Sequence, residues 1–248
     1  MPHEILVEAC VDSVDSAVAA ETGGAHRIEL CTALREGGLT PSAGTIAVTR
    51  QRTTIDIQMM IRPRGGDFLY SDTEFASMQR DVEMAKRLGS NGVVFGLLTP
   101  DGEIDVRRTE QLTEQARPMA VTFHRAFDMA GNPTQSLEAL VGLHIERVLT
   151  SGQRATAVEG IELLRELVTQ AGDRIVVMPG GGIDERSLPK ILEATGAREI
   201  HVTGTKTIES AMTFRNPHCY MGIEPDSSEF SMSITDTERI RTLVELAR

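Results

Sequence analysis

Tryptophan is absent from the 248 residues, and two tyrosines and seven phenylalanines complete the aromatic set, so the core must be aliphatic. Positive charge is also short: 25 Lys and Arg against 36 Asp and Glu leave a net charge of −11. That balance argues against nucleic acid and anionic membrane as partners. Cysteine occurs three times, an odd number that does not make a disulfide framework. No apolar run approaches the roughly 18 residues of a spanning helix. Met1-Pro2-His3-Glu4 passes directly into a strand-like run without a signal-peptide pattern. Together these absences predict a cytoplasmic, soluble, reduced protein. Gly-x-Ser-x-Gly, the P-loop and His-Glu-x-x-His are missing too, which removes several hydrolase and nucleotide chemistries.

What is present repeats. Strand-like runs recur at Ile5–Cys10, Arg27–Cys31, Ile55–Ile61, Gly92–Leu98, Met119–Phe123, Arg147–Thr150, Ile175–Met178 and Glu199–Thr203, with helical patterns between them. Thr40-Pro41 opens one helix with proline at its first position. Ser71-Asp72-Thr73-Glu74 has the form of a capping box before another. Eight strand-then-helix units in about 250 residues predict a single α/β domain over 1–248, a (β/α)8 TIM-type barrel, with a doubly wound open sheet as runner-up. One irregularity is the stretch 209–234 between the eighth strand and the final helix. A segment that long suggests a lid or an interface.

Side chains alternate along a strand, so parity locates the polar ones. Glu8 and Cys10 share a face of the first strand, and Arg27, Glu29 and Cys31 share a face of the second. A carboxylate sealed against the helix layer would cost several kcal/mol or titrate, so Glu8 and Glu29 must point into the barrel. The cysteines follow them, on strands about 4.8 Å apart. By the same parity Gln58, Met60, Arg62 and Arg64 share a face of the third strand, Thr122 and His124 of the fifth, and His201 and Thr203 of the eighth. Pairing of Glu8 and Glu29 with Arg62 and Arg64 is expected to satisfy part of this set.

Thr122-Phe123-His124-Arg125-Ala126-Phe127-Asp128 turns from an apolar strand into His, Arg and Asp within a few residues. That suits the carboxyl end of a barrel strand, where ligand-contacting groups gather, although Asp128 also suits a helix cap. Gly180-Gly181-Gly182 leaves the seventh strand and Thr203-Gly204 the eighth, so two small-residue turns can present backbone N–H groups to an anion. Arg62, Arg64, Arg125 and Lys206 would make this mouth positive. A small anionic ligand therefore fits, and Glu8, Glu29 and His124 are acid/base candidates for an enzyme acting on a phosphorylated or carboxylated metabolite.

Val7-Glu8-Ala9-Cys10-Val11-Asp12-Ser13, Arg27-Ile28-Glu29-Leu30-Cys31, Ile61-Arg62-Pro63-Arg64-Gly65-Gly66-Asp67-Phe68, the 122–128 segment, Arg147 to Gly152, Met178 to Ile183 and Arg215-Asn216-Pro217 together resemble the CutC family. The resemblance runs through most of the chain and implies a TIM-type barrel, a cytoplasmic homo-oligomer (dimer or tetramer) and a part in copper homeostasis. It also implies Cys10 and Cys31 as Cu(I) ligands. Soft thiolates select Cu(I), and two inward thiols give a two-coordinate site with Met60 in reach. The chain departs from the family pattern at Val11 and at Thr203-Gly204, where many members have Ser-Ala. Cys219 matches no motif.

Overall fold

The computed structural model describes residues 5–216, 218–219 and 229–248. Eight parallel strands form its centre: β1 (Leu6–Val11), β2 (Arg27–Leu30), β3 (Asp56–Met60), β4 (Gly92–Phe95), β5 (Ala120–Phe123), β6 (Arg147–Thr150), β7 (Val176–Pro179) and β8 (Glu199–Val202). Their order is β7-β6-β5-β4-β3-β2-β1-β8, and a parallel bridge from Gly180 to His201 joins the two ends. The sheet thus closes as a single (β/α)8 barrel, as the repeat predicted.

A helix follows each strand: α1 (Val14–Thr22), α2 (Ala43–Arg52), α3 (Asp72–Arg87), α4 (Val106–Ala116), α5 (Pro133–Gly142), α6 (Ile161–Ala171), α7 (Leu188–Thr195) and α8 (Thr237–Leu246). Local chemistry sets their starts. Ser71 accepts from the Glu74 amide at 3.2 Å while Glu74 accepts from the Ser71 amide at 2.7 Å, so the expected capping box is formed. Asn132 caps α5 ahead of Pro133. Two helices begin well after their strands end, α6 at Ile161 and α7 at Leu188. The residues ahead of each make an irregular loop held by Asp128 and by Asp184, respectively.

Alternation divides the strands into two surfaces. Val7, Ala9, Ile28, Leu30, Ile57 and Phe123 pack outward against the helices and are completely buried. Each of these side chains larger than alanine stabilises the fold by about 1.5–3 kcal/mol. The opposite surface carries Glu8, Arg27, Glu29, Gln58, Thr122 and His201 into the barrel. A TIM interior is ordinarily filled by layers of Val, Ile and Leu, so this polar lining must satisfy itself.

The 209–234 stretch is not a plain loop. Its ends continue an antiparallel hairpin, β9 (Thr205–Glu209) with β10 (Ser231–Thr235), outside the barrel sheet; residues 217 and 220–228 lie outside the described set. No helix among the described residues is long and apolar enough to cross a membrane.

Candidate functional site

The barrel floor is an ion-pair network built by register. Glu8 stands opposite Arg27 on β2 and opposite His201 on β8. The Arg27 Nε donates to Glu8, and its Nη2 donates to Glu199 at 2.6 Å. Glu199 also accepts from Arg147 Nε at 2.9 Å, and Arg147 reaches Thr122 at 3.2 Å. On its other oxygen, Glu8 meets His201 Nδ1 at 2.8 Å. Burial pushes the Glu8 carboxyl up, but Arg27 and His201 outweigh it and hold the group at about 2. For His201, burial opposes the charge, while Glu29, the Cys10 sulfur and Glu8 raise it well above the usual imidazole range.

One layer towards the mouth, Glu29 joins the two thiols. Its Oε2 lies 3.3 Å from Cys10 Sγ, 3.4 Å from Cys31 Sγ and 3.8 Å from His201 Nε2. The ligand atoms of Cys10, Glu29 and Cys31 all fall within 4.8 Å of one another, as do those of Glu8, Glu29 and His201. A hydrogen bond from Cys31, acting against burial and helped by His201, draws the Cys10 thiol down to about 5. Cys31 moves the opposite way, raised by that same hydrogen bond and by burial. Burial and the negative Cys10 sulfur raise Glu29 well above the carboxylate range. The two sulfurs are thus driven apart, Cys10 towards thiolate and Cys31 towards thiol, and both face Glu29 Oε2. Met60 and Val94 close the sulfurs in an apolar collar. Gly38, at φ +87°, passes over Cys31, and a Cβ there would stand 3.1 Å from its sulfur.

Above the sulfurs opens a cavity of roughly 290 Å³, walled by Leu34, Met60, Phe68, Leu149 and Ile183 and by the polar groups Glu29, Arg62, His124, Arg125, His201 and Thr203. Burial first, then the neighbouring Arg62, holds His124 down to about 3, so its ring is neutral at physiological pH. His124 Nδ1 accepts from the Ala126 amide at 3.1 Å, which leaves the proton on Nε2. Neither that Nε2 nor Glu29 Oε1 has a hydrogen-bond partner among the described residues.

Parity placed Glu8, Cys10, Glu29, Cys31, His124 and His201 where they are found. The expected arginine partners were misassigned. β3 ends at Met60 and the chain turns at Pro63, so alternation no longer applies to Arg62 and Arg64. Arg62 folds onto the carbonyls of Glu36, Gly38 and Gly66, at the cavity edge. Arg64 leaves the mouth altogether and pairs with Glu74 and Asp67. The residue that does neutralise Glu8 is Arg27, with Arg147 and Glu199 behind it; its shared parity with Glu29 was the available signal. Lys206 sits on the hairpin and pairs with Asp236 at 2.9 Å.

Among the loop residues, Gly181, Gly182 and Thr203 line the cavity with Arg125. Gly180 does not offer its amide, which donates to Thr150 at 2.9 Å, and its Cα packs against Leu149 and His201. Gly204 is turned to α8, where a Cβ would strike Ile240 at 2.5 Å. Asp128 stays off the cavity wall. It ties down the loop after β6 by accepting from Thr150 Oγ1 at 2.5 Å and from the Ser151 and Gln153 amides. Cys219 is exposed and is not part of the cluster that holds the other two thiols.

Comparison with known proteins shows the family and the fold. The model of the CutC family matches residues 5–207. A human protein described as copper homeostasis protein cutC homolog is 52% identical over 243 residues, covering 98% of this chain and 89% of its own. A CutC family protein from Mesorhizobium japonicum is 46% identical over 243 residues, covering 98% of this chain and 94% of its own. The CutC crystal structure from Streptococcus agalactiae superposes with a TM-score of 0.76 at 34% identity, covering 80% of this chain and 98% of that one.

Proposed function

The chain belongs to the CutC family, and from that premise we propose that it serves copper homeostasis by holding one Cu(I) between Cys10 and Cys31. The observation that carries this reading is the Cys10–Glu29–Cys31 cluster, whose ligand atoms lie within 4.8 Å of one another at the end of an accessible cavity. Soft sulfur is the donor that selects Cu(I) from other first-row ions, and Met60 adds a thioether to the same collar. Cys10 is already drawn towards thiolate, so only Cys31 must lose a proton to complete a bis-thiolate site. Glu29 is the group next to both sulfurs and takes up or yields the charge that changes there.

Free thiols buried in the barrel support a reducing, cytoplasmic setting. Exposed Met212, Phe214 and Met232 beside and on the outer hairpin support assembly as a homo-oligomer. The decisive experiment is a Cu(I) titration under reducing conditions against a competing chelator. Wild type should take up one ion per chain, and the Cys10→Ser, Cys31→Ser double variant none at this affinity. Equal uptake by both proteins would make these cysteines packing residues.

A further inference from the structure

We infer that the rim of the barrel, where the turns after β7 and β8 meet Arg125, binds the phosphoryl group of a small phosphate monoester. The N–H groups of Gly182, Ile183 and Thr203 donate to no acceptor among the described residues, and all three residues line the cavity. Backbone amides left without partners in adjoining turns at a cavity wall can bind an anion. Gly182 reaches its conformation at φ +67° and Gly181 at φ +105°, where a side chain would be strained.

Arg125 completes the set. Asp128 accepts from its Nε at 2.7 Å and Ser151 accepts from its Nη2 at 2.7 Å, so the guanidinium is fixed in place. Its Nη1 donates to no group among the described residues and lies over Gly181, where a Cβ would be 3.2 Å away. Glycine at 181 therefore keeps room for the cation. Three amides from two turns and one guanidinium N–H suit the three terminal oxygens of a phosphoryl group better than the two of a carboxylate.

An independent observation comes from deeper in the same cavity. His124 is 4% exposed, and its Nε2 has no partner. A buried N–H left unpaired costs about 1–3 kcal/mol, which a hydroxyl or carbonyl on the ligand's body would recover. The cavity volume of roughly 290 Å³ lies at the small end of ligand pockets and suits a small metabolite. Because this site uses the rim and not the sulfurs, it stands or falls separately from the copper reading.

The test is amide NMR of the full, metal-free, reduced chain at constant ionic strength, titrated with inorganic phosphate, with glycerol 3-phosphate and with acetate. The expected result is saturable movement of the Gly182, Ile183 and Thr203 amide signals, one site per chain, with both phosphates and not with acetate. Arg125→Gln should weaken phosphate binding about tenfold or more. His124→Gln should lessen the advantage of glycerol 3-phosphate over inorganic phosphate. Unmoved loop amides, movement that does not saturate, or an equal response to acetate would overturn the assignment, and the wild-type titration decides this whether or not a variant folds.

Discussion

Arg27→Met tests the account of the barrel floor. Arg27 is 4% exposed and links Glu8, which is completely buried, to Glu199. The Glu8 carboxyl is held at about 2 against an ordinary 4.5, a difference of about 2.5 units. At about 1.4 kcal/mol per unit this corresponds to about 3 kcal/mol of stability. Full burial means that solvent screening discounts little of it. Removing one partner of a buried pair generally costs about 3–5 kcal/mol, the same range. Urea denaturation at pH 7 should therefore show a loss of about 3 kcal/mol or more. The sign with pH is set by a depressed carboxylate: the contribution is complete above about 4.5 and disappears as pH falls towards 2. The gap between wild type and variant should accordingly narrow below pH 4.5, and adding Glu8→Gln to the variant should restore part of the loss. A deficit under 1 kcal/mol at pH 7, or one that does not vary with pH, would refute the network as drawn.

Three further outcomes follow from the upper layers. Alkylation of Cys10 in the metal-free protein should keep its rate down to a pH of about 5 and decline below it, with Cys31 unreactive in the folded state; a midpoint near that of a free thiol would contradict the assignment of charge. Cu(I) affinity should fall about tenfold per pH unit between 7 and 5, where one proton is displaced, and about a hundredfold per unit beneath 5, where two are; a flat competition titration would exclude bis-thiolate binding. Asp128→Ala should cost about 2–3 kcal/mol by leaving the Ser151 and Gln153 amides unpaired. Hydrogen exchange should then rise in residues 151–160, and unchanged protection there would show that the loop is held by something else.

Particular residues show what the sequence could and could not reveal. Glu8, Cys10 and Glu29 were legible because alternation leaves two surfaces, and only one tolerates a carboxylate. Their partners were not, because pairing across strands depends on register. Glu8 stands opposite Arg27 and His201, a relation that no single strand contains. Arg62 and Arg64 misled because alternation was carried past the end of β3, into a turn where Arg62 satisfies carbonyls and Arg64 meets α3. The turns after β7 and β8 are visibly glycine-rich, but the sequence does not show what each glycine is for. Gly180 and Gly204 are small because Leu149, His201 and Ile240 press on them, a packing demand invisible in the local sequence. The hairpin flanking 210–230 has no signal in the sequence, since its strands are short, polar and outside the repeat.

Copper K-edge X-ray absorption on the Cu(I)-loaded, reduced protein tests the central claim most directly. The account predicts a first shell dominated by sulfur in wild type, supplied by Cys10 and Cys31, and loss of that shell when both are replaced by serine. A first shell of nitrogen and oxygen alone, or a spectrum unchanged in the double variant, would place any bound copper elsewhere and leave the two thiols without a metal role.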